Sequence, residues 1–468
     1  MKRIINFFLL IFISSQTKTN VTINQTDALQ PTQEQSAIFK QTACDLQQWS
    51  RGVARAETKS YLIAIYMSAD NDLELFSRRN LDQLKKVGST PYAHVVVHLD
   101  TRTPTGQKIT KVYHVQRDKL VIVANYAGMD SGDPATLINF ITNAAQSFPA
   151  QHVAIILWNH GTGIIDIGRP RSINPSTLFS FNSLFNVMEL DRSMPFLEFA
   201  QHQADHASRG VCFDDTTGNY LTNQKLEMAL KSICQTLGKK IKIIGFDACL
   251  MAMLEVGNIV RKYADIMVGS QEVEMGTGWN YQLALAPLLT NNLTPEELAS
   301  HLVDAYNAEY LRITPDYTQS AIDLQFLTQL EEGVNELSLL LLEALKRQKS
   351  NSAKDAIKAS RHRLLCTHFD EPSYIDLQHF CSNLAGNLNK ISLQTTNDSE
   401  QMRMALKKAI QKCLNLIEQC VINNATGKNL NKAGGISIYS PERSIHSSYL
   451  RTPFAGQNNW IKLLAALT

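Results

Sequence analysis

A histidine and a cysteine each follow closely on an apolar run. In "ILWNHGTGI" (156–164) the aliphatic stretch stops at Trp158 and is succeeded by Asn159, His160 and two glycines. In "KIIGFDACL" (242–250) a comparable run delivers Asp247 and then Cys249. A cysteine attacks a carbonyl only as its thiolate, and at an ordinary pKa of about 8.5 only a few per cent is ionised near neutrality. An imidazole within reach takes the thiol proton and later returns one to a leaving amine. The sequence places Cys249 where a strand is expected to turn into a helix, because apolar residues recur at Leu250, Met253, Leu254 and Ile259. The positive end of such a helix would stabilise the thiolate. Gly161 and Gly163 permit a tight turn and expose N–H groups. The Gly161 and Cys249 N–H groups are thus candidates for holding an oxyanion. Asp247 shares a strand face with Cys249. Its charge would oppose thiol ionisation, so it suits a binding pocket or an acceptor for loop N–H groups better than activation. On spacing alone, a Cys–His hydrolase and an inert binding domain with a structural histidine and a core cysteine both remain open.

These residues need elements to position them. "YLIAIYM" (61–67), "HVVVHLD" (94–100), "HVAIILW" (152–158), "IKIIGF" (241–246) and "IMVGS" (266–270) read as strands. Helical patterns lie between several of them. Runs apolar on both faces, alternating with helices, predict an α/β fold with a mostly parallel sheet covered on both sides. Working loops then sit at the carboxyl ends of the strands. His160, Cys249, the "SADND" loop (68–72) and Asp100 all fall there. Residues 166–210 interrupt the pattern and read as an insertion or lid carrying Arg169, Arg171, Arg192 and Arg209. From 291 to 468 the chain is expected to be mainly helical, with one strand-like stretch, "GGISIYSP" (434–441).

The 468-residue chain has a formal net charge of +2, which argues against nucleic acid as a partner. Lys2 and Arg3 precede a short apolar stretch, so residues 1–19 read as a secretory signal, and 20–56 as a linker or pro-segment. The competing reading is an intracellular protein with a structural N-terminal helix. No stable membrane insertion is expected. The eight cysteines contain no C-x-x-C spacing, which excludes the usual zinc and thioredoxin signatures. In an exported chain some of them can pair.

The two blocks around His160 and Cys249 resemble the paired histidine and cysteine blocks of the clostripain family of cysteine peptidases. "AIYMSADNDLE" (64–74), "GVCFDDTTGNYLTNQKL" (210–226), "GSQEVEMGTGWNY" (269–281), "SAIDLQFL" (320–327), "PSYIDLQHF" (372–380) and "GGISIYSP" follow in that family's order. The resemblance implies a caspase-like α/β/α sandwich over 57–290, related to gingipain and legumain. It implies His160 as general acid/base, Cys249 as nucleophile, and Gly161 with Cys249 as oxyanion donors. It implies cleavage after Arg or Lys, with Asp247 in the substrate pocket. Thr277 stands where the family commonly has an acidic or amide residue, a departure bearing on that specificity. Activation by internal cleavage would fall within 166–210, giving a monomer or a self-cleaved two-chain form. No cofactor is implied for the chemistry and no metal site is assigned; calcium is a further expectation, with Asp214 and Asp215 as candidate ligands. Asn71 or Asp72 would orient the His160 ring, unless "SADND" only caps the helix after it. The resulting expectation is a secreted or periplasmic cysteine endopeptidase acting on protein or peptide substrates. The alternative is a catalytically inactive secreted or surface binding protein with the same fold.

Overall fold

The computed structural model describes Trp49 and residues 56–166, 178–193 and 210–468. The expected signal and nearly all of the expected linker lie outside these residues, as do two parts of the 166–210 segment.

The N-terminal half of the sheet comprises β1 (Lys59–Ser68), β2 (Ala93–Arg102), β3 (Lys108–Gln116), β4 (Lys119–Tyr126) and β5 (Ala150–Trp158). A small hairpin follows, β6 (Phe179–Asn182) with β7 (Val187–Leu190), and then a second, β8 (Gly210–Asp214) with β9 (Asn219–Thr222). The remaining strands are β10 (Ile241–Asp247), β11 (Ala264–Gly269), β12 (Thr318–Asp323), β13 (Tyr374–Asp376), β14 (Val421–Thr426) and β15 (Ser437–Tyr439). Nine of them form one sheet in the order β14-β12-β11-β10-β5-β1-β2-β3-β4. The five central strands, β11 to β2, pair in parallel, and antiparallel strands extend both edges.

β1 shows why the core reads as continuous apolar runs. Tyr61, Ile63, Ile65 and Met67 are buried in one cluster. Leu62, Ala64 and Tyr66, which alternate with them, are buried in the other. Both faces are therefore covered. One layer includes α1 (Glu74–Val87). The opposite layer includes α2 (Pro134–Ser147) and α3 (Asn223–Leu237). The start signals of the last two are local. Asp133 caps α2 by accepting from Ala135 N ahead of Pro134 at the first turn, and Thr222 caps α3 by accepting from Lys225 N. This is the caspase-like sandwich expected.

The structure adds two features to the sequence reading. The β3–β4 hairpin was not anticipated; its strands are only partly buried and lack a long apolar run. The region after 291 is mainly helical, yet it also supplies β12 and β14 to the main sheet and β13 and β15 to a small one. The sheet therefore runs across the boundary expected at 290.

Candidate active site

Strand register brings His160 and Cys249 level. β5 and β10 are parallel neighbours, and Trp158 pairs with Asp247. His160 lies two residues beyond Trp158, and Cys249 two beyond Asp247. Both reach the same rim, and both line one small cavity with Asp247, Glu274 and Leu178. The rim is at the carboxyl ends of β1, β5 and β10, where the strand order reverses direction.

The loop after β5 is fixed by Asn159. Its Nδ2 donates to Ser68 O (2.5 Å), and its Oδ1 accepts from Phe213 N (2.8 Å). These bonds tie the histidine loop to β1 and β8. Gly161 then passes against the cysteine turn so closely that a Cβ there would lie 2.4 Å from Cys249 O. Only glycine fits this approach. The Cys249 N–H donates to no acceptor among the described residues, as a donor awaiting an oxyanion would.

Of the loop residues Asn71 and Asp72, it is Asp72 that bonds the imidazole, and the helix that follows starts from Leu73 without a side-chain cap. Asp72 Oδ1 lies 2.7 Å from His160 Nε2. Asn71 instead accepts from Leu73 N (2.9 Å) and donates to Ser68 O and Phe213 O, so it shapes the loop and does not touch the imidazole through these bonds. Asp215, a candidate calcium ligand by sequence, sits close enough to Asp72 for their charges to interact. Burial first and then Asp72 push its carboxyl up to about 6.

The expected helix start at Cys249 is not present. β10 ends at Asp247, and α4 begins only at Leu254 (Leu254–Val260). Cys249 lies in a turn, with Leu250 at φ +65°, and the residues after it run against other elements: Ala252 N donates to Ser270 O, and Met253 bridges to Ser437. The thiol therefore lacks a helix terminus. It accepts instead from Glu274 N (3.2 Å), which favours the anion, while burial pushes the thiol well up from its ordinary range.

The base of the cavity carries two carboxyls. Asp247 accepts from Trp279 N (3.0 Å) and from the Tyr281 hydroxyl (2.8 Å). Gly278, at φ +57°, turns the chain over it; a Cβ there would stand 2.6 Å from Asp247 Oδ1. Glu274 is the residue that sequence reasoning missed. Its oxygens make no hydrogen bond of normal geometry among the described residues, although Asp247, Trp279 and Gln319 are close enough to influence it. Burial holds both carboxyls above the usual carboxylate range, and the neighbouring Asp247 pushes Glu274 further up. Thr277 is placed differently from expectation. Its hydroxyl bonds the Tyr310 hydroxyl (2.8 Å), and the flanking Gly276 and Gly278 line the cavity in its stead. The sequence signal for Glu274 is an acid flanked by Val273 and Met275 just before the glycine turn.

The cavity offers water ≈ 20 Å³, about enough room for one molecule. Leu178, from the segment read as an insertion, is one of its walls. That segment is anchored through its hairpin: Met188 N donates to Ile313 O (2.7 Å), and Arg192 pairs with Glu272 (2.8 Å). Glu272 O in turn accepts from Leu250 N beside the cysteine. Arg169, Arg171 and Arg209 lie outside the described residues. The seven described cysteines, Cys249 included, are free thiols.

The sequence profile of the clostripain family matches residues 65–190 and 198–467. Clostripain of Hathewaya histolytica is 20% identical over 465 residues, spanning 85% of this chain and 77% of that protein. A secreted C11 cysteine protease from Bacteroides thetaiotaomicron, solved with an irreversible peptide inhibitor, shares the fold with a TM-score of 0.55. Its identity is 18%, and the match covers 86% of this chain and 99% of that one. An inactive zymogen C11 protease from Parabacteroides distasonis gives a TM-score of 0.55 at 18% identity, with the same coverage of each chain.

Proposed function

The chain belongs to the clostripain family and is a cysteine peptidase, and from that premise we propose an exported endopeptidase in which Cys249 and His160 form the catalytic dyad. The observation that carries this reading is the register of β5 and β10, which sets the two side chains at one offset from a paired Trp158 and Asp247. In the reaction, His160 takes the Cys249 proton and the thiolate adds to the scissile carbonyl. The oxyanion is held by the Cys249 N–H, with Gly161 as second donor. The tetrahedral adduct collapses to a thioester as His160 protonates the leaving amine. Water, activated by the same imidazole, then releases the acid and restores the thiol. Asp72 holds the ring in one orientation throughout, as a third group does in Cys–His enzymes.

Asp247 and Glu274 support a preference for Arg or Lys before the scissile bond. Two buried carboxyls in one cavity favour a cation, and an arriving guanidinium or ammonium would draw the pair toward the ionised form. The ≈ 20 Å³ cavity, walled by Leu178, fits a latent form opened by cleavage within 166–210. Export is supported by the charged and then apolar N-terminus. No described helix is long and apolar enough to cross a membrane.

Profiling cleavage of a randomised peptide library tests this reading. Wild type is expected to cut after Arg or Lys, while Cys249→Ala and His160→Ala fold but do not turn over. Full activity in either variant refutes the dyad.

A further inference from the structure

We propose that Lys108 is the built-in cation of a three-carboxylate cluster and, through it, a positioning residue for Asp72. The proposal rests on the reading of His160 as acid/base. Asp70, Asp100 and Asp214 are fully buried, and each brings a carboxylate oxygen within 4.8 Å of the others. They come from the ends of β1, β2 and β8, three parts of the chain distant in sequence. Three oxygen ligands converging in this way would suit a hard cation such as calcium. Their centre is already taken. Lys108 Nζ, from β3, lies 3.2 Å from Asp70 and 3.0 Å from Asp100, and it contacts Asp214.

The other donors complete the cluster. Asp100 accepts from the Thr110 and Ser131 hydroxyls (2.8 and 2.7 Å). Asp214 accepts from Ser131 N and Thr217 N (2.9 and 3.0 Å). Asp70 is paired with Arg102, whose side chain is 40% exposed. Lys108 is thus the enclosed positive charge among three enclosed negative ones. With the ammonium in place the cup does not fit calcium, although Asp214 was a candidate ligand by sequence.

The cluster reaches the dyad by a short path. Asp70 stands two residues before Asp72 in one loop. Its carbonyl accepts from Asp215 N (2.9 Å), and its Oδ2 accepts from Thr216 N (3.3 Å). The ammonium therefore fastens the loop bearing Asp72 to the β8 turn. Without it, Arg102 at the edge would still pair Asp70, but Asp100 and Asp214 would be left buried beside Asp70 with no cation of their own. They would have to protonate, separate, or admit a cation from solvent.

Lys108→Ala tests this with calcium as the probe. Wild-type melting temperature is expected to stay within about 1 °C whether EDTA or 2 mM CaCl2 is added. The variant should lose about 5 °C and regain it with CaCl2. Isothermal titration should give one calcium site, with a Kd of roughly 10⁻⁵–10⁻³ M, in the variant only. On a basic-residue peptide, kcat should fall at least tenfold with KM little changed, and calcium should restore it. Adding Lys108→Ala should cost Asp72→Asn no further activity. Should Lys108→Ala fail to fold alone, its refolding yield with CaCl2 and that of Lys108→Ala/Asp214→Asn are the readouts, and both should recover. No calcium binding and no recovery of stability would overturn the stand-in role. A destabilised variant with wild-type kcat would overturn the positioning role. A wild type without peptidase activity would contradict the proposed dyad while leaving the calcium and melting results free to decide the stand-in role.

Discussion

Asp72 Oδ1 stands 2.7 Å from His160 Nε2, although the two residues come from different strand ends and are 88 positions apart in sequence. The bond joins the loop after β1 to the loop after β5, and β1 and β5 are parallel neighbours. In the proposed mechanism this carboxylate is what holds the imidazole in one orientation. Asp72→Asn keeps the shape and removes the charge. It is expected to lower kcat by about 10²-fold, with KM changed far less. Steady-state kinetics on a basic-residue peptide measure this, and unchanged kcat would remove Asp72 from the mechanism.

Glu274 makes a separate prediction about specificity. Losing one charge-assisted hydrogen bond costs about 1.5–3 kcal/mol, so Glu274→Gln should reduce kcat/KM for Arg peptides by about 10- to 150-fold. Peptides with an uncharged residue at that position should be affected much less. A uniform loss across both classes would mean that Glu274 serves the fold and not the pocket.

The same carboxyl pair gives a pH dependence. Both groups are raised in the folded protein, chiefly by burial. The native state thus retains protons that the unfolded chain has shed. Their contribution to stability is full below the unfolded value of about 4 and is lost as pH rises through the folded values, about 7 for Asp247. Substrate affinity runs the opposite way, since a more ionised pair holds a guanidinium better. KM for an Arg peptide should fall between pH 5.5 and 8, and that fall should flatten in Glu274→Gln. Thermal melts across the same range should show the variant losing less stability than wild type as pH rises.

Arg192 holds the hairpin whose neighbour Leu178 walls the cavity. Its carboxylate partner Glu272 is fully enclosed, and its own side chain is 31% exposed. Arg192→Ala should therefore free the segment more often without touching the dyad. Alkylation of Cys249 in the uncleaved chain is expected to speed up about tenfold, followed by peptide mapping. An unchanged rate would show that the hairpin does not govern access.

Much of this arrangement could be read from sequence because the parallel core writes itself as apolar runs. The ends of "HVAIILW" and "IKIIGF" located His160 and Cys249, and the observed strands end where those runs do, within a residue. Three things could not be read in that way. The residues after Cys249 have helical spacing, but Leu250 turns at φ +65° and Ala252 and Met253 are drawn into pairing with Ser270 and Ser437, which a local pattern does not show. Thr277 lies between two pocket glycines, and a hydroxyl on Tyr310 turned it away. Lys108 sits on a half-exposed hairpin with no apolar pattern, so its three carboxylate partners appear only once β1, β2 and β8 are folded together.

Covalent trapping addresses the dyad most directly. The chain, cleaved within 166–210, is treated with an irreversible peptide electrophile carrying Arg, and the adduct is mapped by mass spectrometry. A single adduct on Cys249, lost in His160→Ala and slowed in Asp72→Asn, is the result expected. An adduct on any other cysteine, or labelling at the wild-type rate without His160, would contradict the account.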